Sequence, residues 1–265
     1  MEWLAAYLLL GACIGFLGGL FGIGGGTVLV PVLLLLFDAQ HFPADHQLHL
    51  ALGTSMATIV FTALASLRKH HQHEAVEWPV VRTITPGILL GTALGTLLAS
   101  SIPVHYLGLI FALFVYFAAA QILLDIQPPT SRRLPSNANI RLFGIFAGSL
   151  SSLVSIGGGT VVIPFLMWSK LPIRRAIGTS AAISFPVAIG GTLGYVLTGM
   201  GTPALPSGSL GYVYLPALAW TALASIFTAP LGAKATHHLT IGLLRKLFAV
   251  LLLALATKLL LKTLI

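Results

Sequence analysis

The sequence predicts an all-α integral membrane protein of two inverted repeats, each a glycine-broken, re-entrant-type helical hairpin followed by three transmembrane helices. Three observations predict it. Hydrophobic residues make up 57% of the chain and charged residues only 8%, with a mean hydropathy of +0.97, whereas soluble domains carry about 25% charged residues. One stretch is used twice: Gly22-Ile23-Gly24-Gly25-Gly26-Thr27-Val28-Leu29-Val30-Pro31 returns 133 residues later as Ser155-Ile156-Gly157-Gly158-Gly159-Thr160-Val161-Val162-Ile163-Pro164. Each copy is followed by a Gly-Thr-Ser triplet, at 53–55 and 178–180. Finally, Lys and Arg fall on one side of the membrane under one chain path and on both sides under the other.

Residues 3–37 contain no Asp, Glu, Lys or Arg. As one straight helix they would reach about 50 Å, beyond a hydrocarbon core of about 30 Å. Each glycine costs a helix about 1 kcal/mol relative to alanine, so the cluster after Phe21 breaks the run into a hairpin, 4–37. A polar loop follows, with Asp38, His41, Asp45, His46 and His49, then a span at 50–67. The next loop carries Arg68, Lys69, His70, His71, His73, Glu74 and Glu77, and is expected to be solvated. The Ser100-Ser101-Ile102-Pro103 turn divides the following apolar run into spans at 83–100 and 104–124. Pro128-Pro129, Arg132-Arg133 and Asn137-Ala138-Asn139 mark a linker. The second repeat opens with the hairpin 142–169, broken at Gly157–Gly159, and continues with spans at 176–198, 212–233 and 241–262. The expected organisation is a first repeat over 1–126, a cytoplasmic linker over 127–140 and a second repeat over 141–265.

The basic residues choose the path. If each broken segment crosses the membrane once, Lys and Arg divide almost evenly between the two sides. If each enters and leaves on the same side, the loops 68–82, 125–141, 169–175 and 234–246 share one face and hold 12 of the 14 Lys and Arg residues. The positive-inside rule selects the second path and puts these loops in the cytoplasm. Each half then makes an odd number of crossings, so the repeats are inverted, as in many secondary transporters. The net charge of +8 is thus a topology signal, and no nucleic-acid partner is expected. The start, Met1-Glu2-Trp3, lacks the basic region of a secretory signal. Trp3, Trp78 and Trp168 lie near span ends, as interfacial anchors do.

The chemistry follows from what the spans lack and hold. The six acids, Glu2, Asp38, Asp45, Glu74, Glu77 and Asp125, all fall outside the predicted spans. Carboxylate catalysis and a carboxylate cation relay inside the membrane are therefore unsupported. The single cysteine, Cys13, excludes an internal disulfide or a cysteine metal cluster. No enzyme, cofactor or metal is expected. No Lys follows either Gly-Gly-Gly-Thr, which excludes a phosphate-binding P-loop. What the midplane offers is donors. A half-helix starting at Gly24, Gly25, Gly26 and Thr27, or at Gly157, Gly158, Gly159 and Thr160, aims free N–H groups and a positive dipole end at the centre. Such starts bind anions without a side-chain cation. Thr54, Ser55, Thr179 and Ser180 are the candidates to complete the site, around a small anionic substrate. Gly15, Gly18, Gly19, Gly91 and Gly95 are read as helix-packing positions.

The stretch Gly18-Gly19-Leu20-Phe21-Gly22-Ile23-Gly24-Gly25-Gly26 with Pro31, the copy at 157–160 with Pro164, both Gly-Thr-Ser triplets and the loop Arg68 to Trp78 resemble the sulfite exporter TauE/SafE family over essentially the whole chain. The resemblance implies export of sulfite, sulfoacetate or another organosulfonate across the bacterial inner membrane. One departure is Ser155, which stands where the first copy has Gly22. The alternatives at this stage are an anion channel and a carrier of a different small carboxylate or oxyanion. Homo-oligomerisation is left open.

Overall fold

The computed structural model describes residues 3–22, 25–124, 135–238 and 242–264. Ten helices occur among them: α1 (Leu4–Phe21), α2 (Gly26–Ala39), α3 (Ala44–Gln72), α4 (Trp78–Ser101), α5 (Val104–Leu123), α6 (Asn137–Leu153), α7 (Gly159–Trp168), α8 (Ile173–Gly199), α9 (Leu215–His238) and α10 (Gly242–Leu264). Six of them, including α3 and α8, are long and apolar enough to cross a membrane. In contrast, α2 has 14 residues and α7 has 10. At 1.5 Å per residue these reach about 21 and 15 Å, short of a full crossing.

Backbone chemistry makes the breaks. α1 ends where Gly22 turns left-handed at φ 66°, its N–H bonded to the Gly18 carbonyl at 3.0 Å. The second break makes the same turn with Ser155 at φ 47°, an uncommon conformation for a residue with a Cβ. Gly25 (φ 78°) and Gly158 (φ 81°) then take the left-handed position that starts α2 and α7.

The helices pair in a pattern that survives exchange of the two halves. α1 packs along α9 and α4 along α6, while α3 crosses α8 and α5 meets α10. The two closest pairings are made by glycine. A Cβ on Gly11, Gly15 or Gly19 would run into the backbone of α9 at Thr221, Ser225 or Ala229. Gly87, Gly91 and Gly95 stand in the same relation to Arg141, Ile145 and Ser149 of α6. Small residues let membrane helices approach backbone to backbone. α3 and α8 form the centre, with every residue from Gln47 to Ile59 and from Ala176 to Ser184 buried.

Several boundaries differ from the sequence reading. The polar loop after α2 is only 40–43, because α3 begins at Ala44 and carries Asp45, His46 and His49 in its first turns. The charged loop also shortens, since α3 continues through Arg68, Lys69, His70 and His71 to Gln72. His70, read as solvated, is fully buried, with Nε2 3.3 Å from the Gly19 carbonyl. Between α8 and α9 the chain forms a two-stranded antiparallel hairpin, β1 (Ser209–Leu210) with β2 (Val213–Tyr214), so the helix expected from 212 begins only at Leu215. Its Tyr212 N–H donates to the Tyr195 carbonyl of α8 at 3.1 Å. Most of the expected 127–140 linker lies outside the described residues, and α6 starts under a cap in which Ser136 Oγ accepts from the Asn139 N–H.

Candidate functional site

The two breaks meet. A Cβ on Gly26 would collide with the Ser155 carbonyl, and Ile59 Cδ1 of α3 would lie 3.0 Å away. α8 holds both breaks from one face: Ser180 Oγ donates to the Gly22 carbonyl at 3.2 Å, and one turn on Ser184 Oγ donates to the Gly157 carbonyl. α3 holds the second break, where Ser155 Oγ donates to the Leu52 carbonyl at 2.8 Å. The starts of α2 and α7 therefore lie in one buried region between α3 and α8.

Neither helix start has a side-chain cap. The first N–H groups of a helix have no partner within it, so Gly26, Thr27, Gly159 and Thr160 present backbone donors here. Beside them stand hydroxyls with nothing to bond. Thr27 Oγ1 and Thr160 Oγ1, in the first turns of α2 and α7, are buried without a hydrogen-bond partner. So are Ser55 Oγ on α3 and Ser151 Oγ on α6. Burying a hydroxyl unpaired costs about 1–3 kcal/mol. Thr27 and Thr160 belong to the helix starts themselves, Ser151 Oγ lies next to Gly158, and Ser55 lies on the buried stretch of α3, so the breaks and their surroundings hold hydroxyl donors without an acceptor.

The remaining expected residues divide. Thr54 and Thr179 are committed to the fold: Thr54 Oγ1 accepts the Tyr214 N–H at 2.9 Å, and Thr179 Oγ1 accepts the Glu77 N–H at 3.0 Å. These bonds are counterparts, each tying one half's triplet to the chain entering α9 or α4 of the other half. Ser180 is likewise engaged, with Gly22. Gly24 lies outside the described residues. Gly25 is packed, a Cβ there falling 2.9 Å from the Ile14 carbonyl. Gly158 is open: its nearest neighbours would be Val162 Cγ2 at 3.5 Å, Val187 Cγ2 at 3.8 Å and Ser151 Oγ at 3.9 Å.

Three residues escaped the sequence reading. Ser151 and Ser184 could have been found by laying both repeats against the break, because each stands within a turn or two of a motif residue. A third, His70, belongs to a stripe on α3 at every fourth position, Thr54, Thr58, Thr62, Ser66 and His70, all buried. Thr58 Oγ1 bonds Thr221 Oγ1 and Thr62 Oγ1 donates to Ser225 Oγ, both at 3.0 Å, forming a hydroxyl seam with α9. Aligned on the two threonine–backbone bonds, the equivalent seam of the other half holds Ile183 and Val187 on α8 with Ile84 and Ile88 on α4, all fully buried. At the end of the stripe the halves match again: His70 reaches the Gly19 carbonyl, and Tyr195 Oη donates to the equivalent Ser152 carbonyl at 2.9 Å.

No Lys or Arg is buried among the described residues, and no cluster of three or more His, Cys, Asp or Glu there is arranged to hold a metal ion. The model of the family described as sulfite exporter TauE/SafE matches residues 7–259, both breaks included. The chain belongs to the TauE/SafE family. A probable membrane transporter protein of Haemophilus influenzae is 38% identical over 257 residues, 96% of this chain and 97% of its own. One from Methanocaldococcus jannaschii is 29% identical over 88% of this chain and 86% of its own. A third, YdhB of Bacillus subtilis, is 29% identical over 72% of this chain and 76% of its own. No solved structure gives a significant match. Family and helices together make this chain a multi-pass membrane transporter of TauE/SafE type, not an enzyme.

Proposed function

We propose that the protein is a secondary transporter that exports a small sulfur-containing anion, such as sulfite, sulfoacetate or another organosulfonate, across the bacterial inner membrane. The observation that carries this reading is the set of unpartnered buried hydroxyls, Thr27 and Thr160 in the first turns of α2 and α7 and Ser151 beside Gly158, with Ser55 on the buried stretch of α3. An anion supplies the acceptors that those hydroxyls and the free N–H groups lack. The name of the matching family supports a sulfur oxyanion or sulfonate as the ligand.

The reading includes two inverted repeats, 1–126 and 141–265, joined by the linker 127–140, with the main charged loops in the cytoplasm. The exchange pattern of helix pairings, α1 on α9 as α4 on α6, supports it. Alternating access would come from rocking one repeat against the other across the α3–α8 crossing. An inside-negative potential favours anion export by about 2.3 kcal/mol per charge per 100 mV, so no carboxylate relay is needed to drive it.

The test is counterflow of labelled sulfite and sulfoacetate in proteoliposomes, with wild type beside a Thr27→Val, Thr160→Val double variant. Glycine variants are a poorer probe, because Gly25 and Gly26 are closed in by the Ile14 and Ser155 backbone. Saturable counterflow in the wild type, lost in the double variant, is the expected result. Protein-dependent flux that never saturates would make the protein a channel. Counterflow undiminished in the double variant would remove the site from the breaks.

A further inference from the structure

We propose that two short segments, 75–77 and 212–214, are the two gates of the carrier, each closing one end of the passage by sealing on the Gly-Thr-Ser triplet of the opposite half. These gates serve the alternating access proposed above, on which their assignment rests.

The two seals are made of the same backbone contacts. At one, the Tyr212 carbonyl fills the place of a Cβ on Gly53, and the Tyr214 N–H donates to Thr54 Oγ1 at 2.9 Å. At the other, the Ala75 carbonyl fills the place of a Cβ on Gly178, and the Glu77 N–H donates to Thr179 Oγ1 at 3.0 Å. In each, a carbonyl lies on the glycine of a triplet and the N–H two residues later bonds its threonine. Only glycine lets backbone approach so closely. Ser55 and Ser180 come next in the triplets, and Ser180 reaches the first break through the Gly22 carbonyl. The seals therefore adjoin the breaks.

They also stand toward opposite ends of α3. Tyr214 meets that helix at Thr54, whereas 75–77 follows its end at Gln72, about 27 Å further along. With both seals in place, the triplets and their neighbours are buried on α3 and α8 alike. Each seal joins the halves: 75–77 comes from the first and seats on α8, while 212–214 comes from the second and seats on α3. Rocking across the α3–α8 crossing separates one seal as it presses the other shut, which is the alternation a carrier needs. Water can satisfy the freed donor and acceptor once a gate opens. The flanking contacts differ. Arg175 of α8 pairs with Glu77 at 2.6 Å beside one seal. Beside the other, the Tyr212 ring stacks on His49 at 4.9 Å, and Tyr214 lies edge-on to Phe37 and Phe42. One gate is latched by a partly exposed ion pair, the other by packed rings. In the topology proposed above, 75–77 is the cytoplasmic gate and 212–214 the outer one.

The experiment asks from which face of the membrane the site can be reached. Cys13, the single cysteine, is replaced by serine, and Ser151→Cys places a reporter thiol at a buried position beside Gly158. A membrane-impermeant maleimide is applied to right-side-out and to inside-out vesicles, and the labelling rates are compared. Gly178→Ala pushes Ala75 off its seat and should raise the rate from the cytoplasmic face about tenfold while lowering that from the outer face. Gly53→Ala displaces Tyr212 and should do the reverse. Glu77→Ala and Tyr212→Ala are milder variants that leave both glycines in place. They should give the same segregation, about twofold to fivefold for Glu77→Ala. Rates that rise together from both faces, as a general loosening of the fold produces, overturn the assignment. Unchanged rates in all four variants overturn it as well. Segregated rates with the faces exchanged uphold the gates and reverse the orientation of the chain. Labelling needs no substrate, so counterflow is followed separately. Segregated labelling without counterflow of any tested anion refutes the sulfur-anion reading and upholds the gates. Counterflow with unsegregated labelling refutes the gates and upholds the carrier.

Discussion

Replacing Thr27 and Thr160 by valine should make the empty protein more stable while abolishing its response to anion. Valine has the shape of threonine and the same β-branch, so the packing of the first turns of α2 and α7 is preserved. What is lost is a hydroxyl that is buried with no partner. Leaving such a group unpaired costs about 1–3 kcal/mol, so removal at both positions should return at least about 2 kcal/mol. For domains of 150–250 residues each kcal/mol moves the melting midpoint by about 2–4 °C, which predicts a rise of about 4 °C or more in detergent without ligand. The wild type should gain stability from added anion, by about 2.7 kcal/mol at a concentration 100-fold above its dissociation constant, and the double variant should not. The internal control is the same chemical change at Thr54 and Thr179. Their hydroxyls accept backbone N–H bonds at 2.9 and 3.0 Å in fully buried positions, so valine there orphans a donor and should cost about 1–3 kcal/mol per site. Thermal melting with and without anion reads the double variant and both single-site controls. A Thr27→Val, Thr160→Val protein that melts below wild type, or keeps its anion-dependent shift, would refute the reasoning.

Other outcomes follow from the packing. Gly26→Ala drives a methyl into the Ser155 carbonyl and should lower both melting midpoint and folded yield, whereas Gly158→Ala finds space and pays only for its left-handed backbone. In the hydroxyl seam, Thr62→Val alone or Ser225→Ala alone disturbs the 3.0 Å pair, while the double variant should recover most of the loss, a coupling that a double-mutant cycle on melting free energies would measure. The ion pair between Arg175 and Glu77, at 2.6 Å, has side chains 55% and 31% exposed, so Arg175→Ala should change stability by less than about 1 kcal/mol. His70→Leu removes the reach to the Gly19 carbonyl and should destabilise the end of α1 more than His70→Gln does, as hydrogen exchange at Gly22 would report.

The helical membrane class and the two breaks were legible because they rest on strong local signals. Glycine triplets inside charge-free runs have few other readings, and a motif repeated with its proline and its triplet exposes an internal duplication. The candidate site was legible only in part. Thr27 and Thr160 were reached through their place in a helix start, which local spacing defines. The division of labour within the triplets was not, because whether Thr54 bonds a ligand or the Tyr214 N–H depends on how the halves dock, and no local pattern encodes that. Ser151 and Ser184 were within reach of a comparison of the repeats, each standing four residues from a motif serine, Ser155 or Ser180. The α3 stripe ending at His70 was missed because serine and threonine in a membrane span commonly bond back to their own helix, and a histidine next to Arg68 and Lys69 looks solvated until it is seen buried against the Gly19 carbonyl of α1.

The most direct test of an anion site at the meeting of the two breaks is to locate the ligand. A bromine-substituted alkanesulfonate soaked or co-crystallised with the protein would mark it by anomalous scattering. The account predicts a bromine peak beside Gly158, Val162 and Val187, with the sulfonate oxygens within hydrogen-bond reach of Thr160 and Thr27. A peak confined to the charged stretch at 68–77, or on the lipid-facing surface, would contradict it.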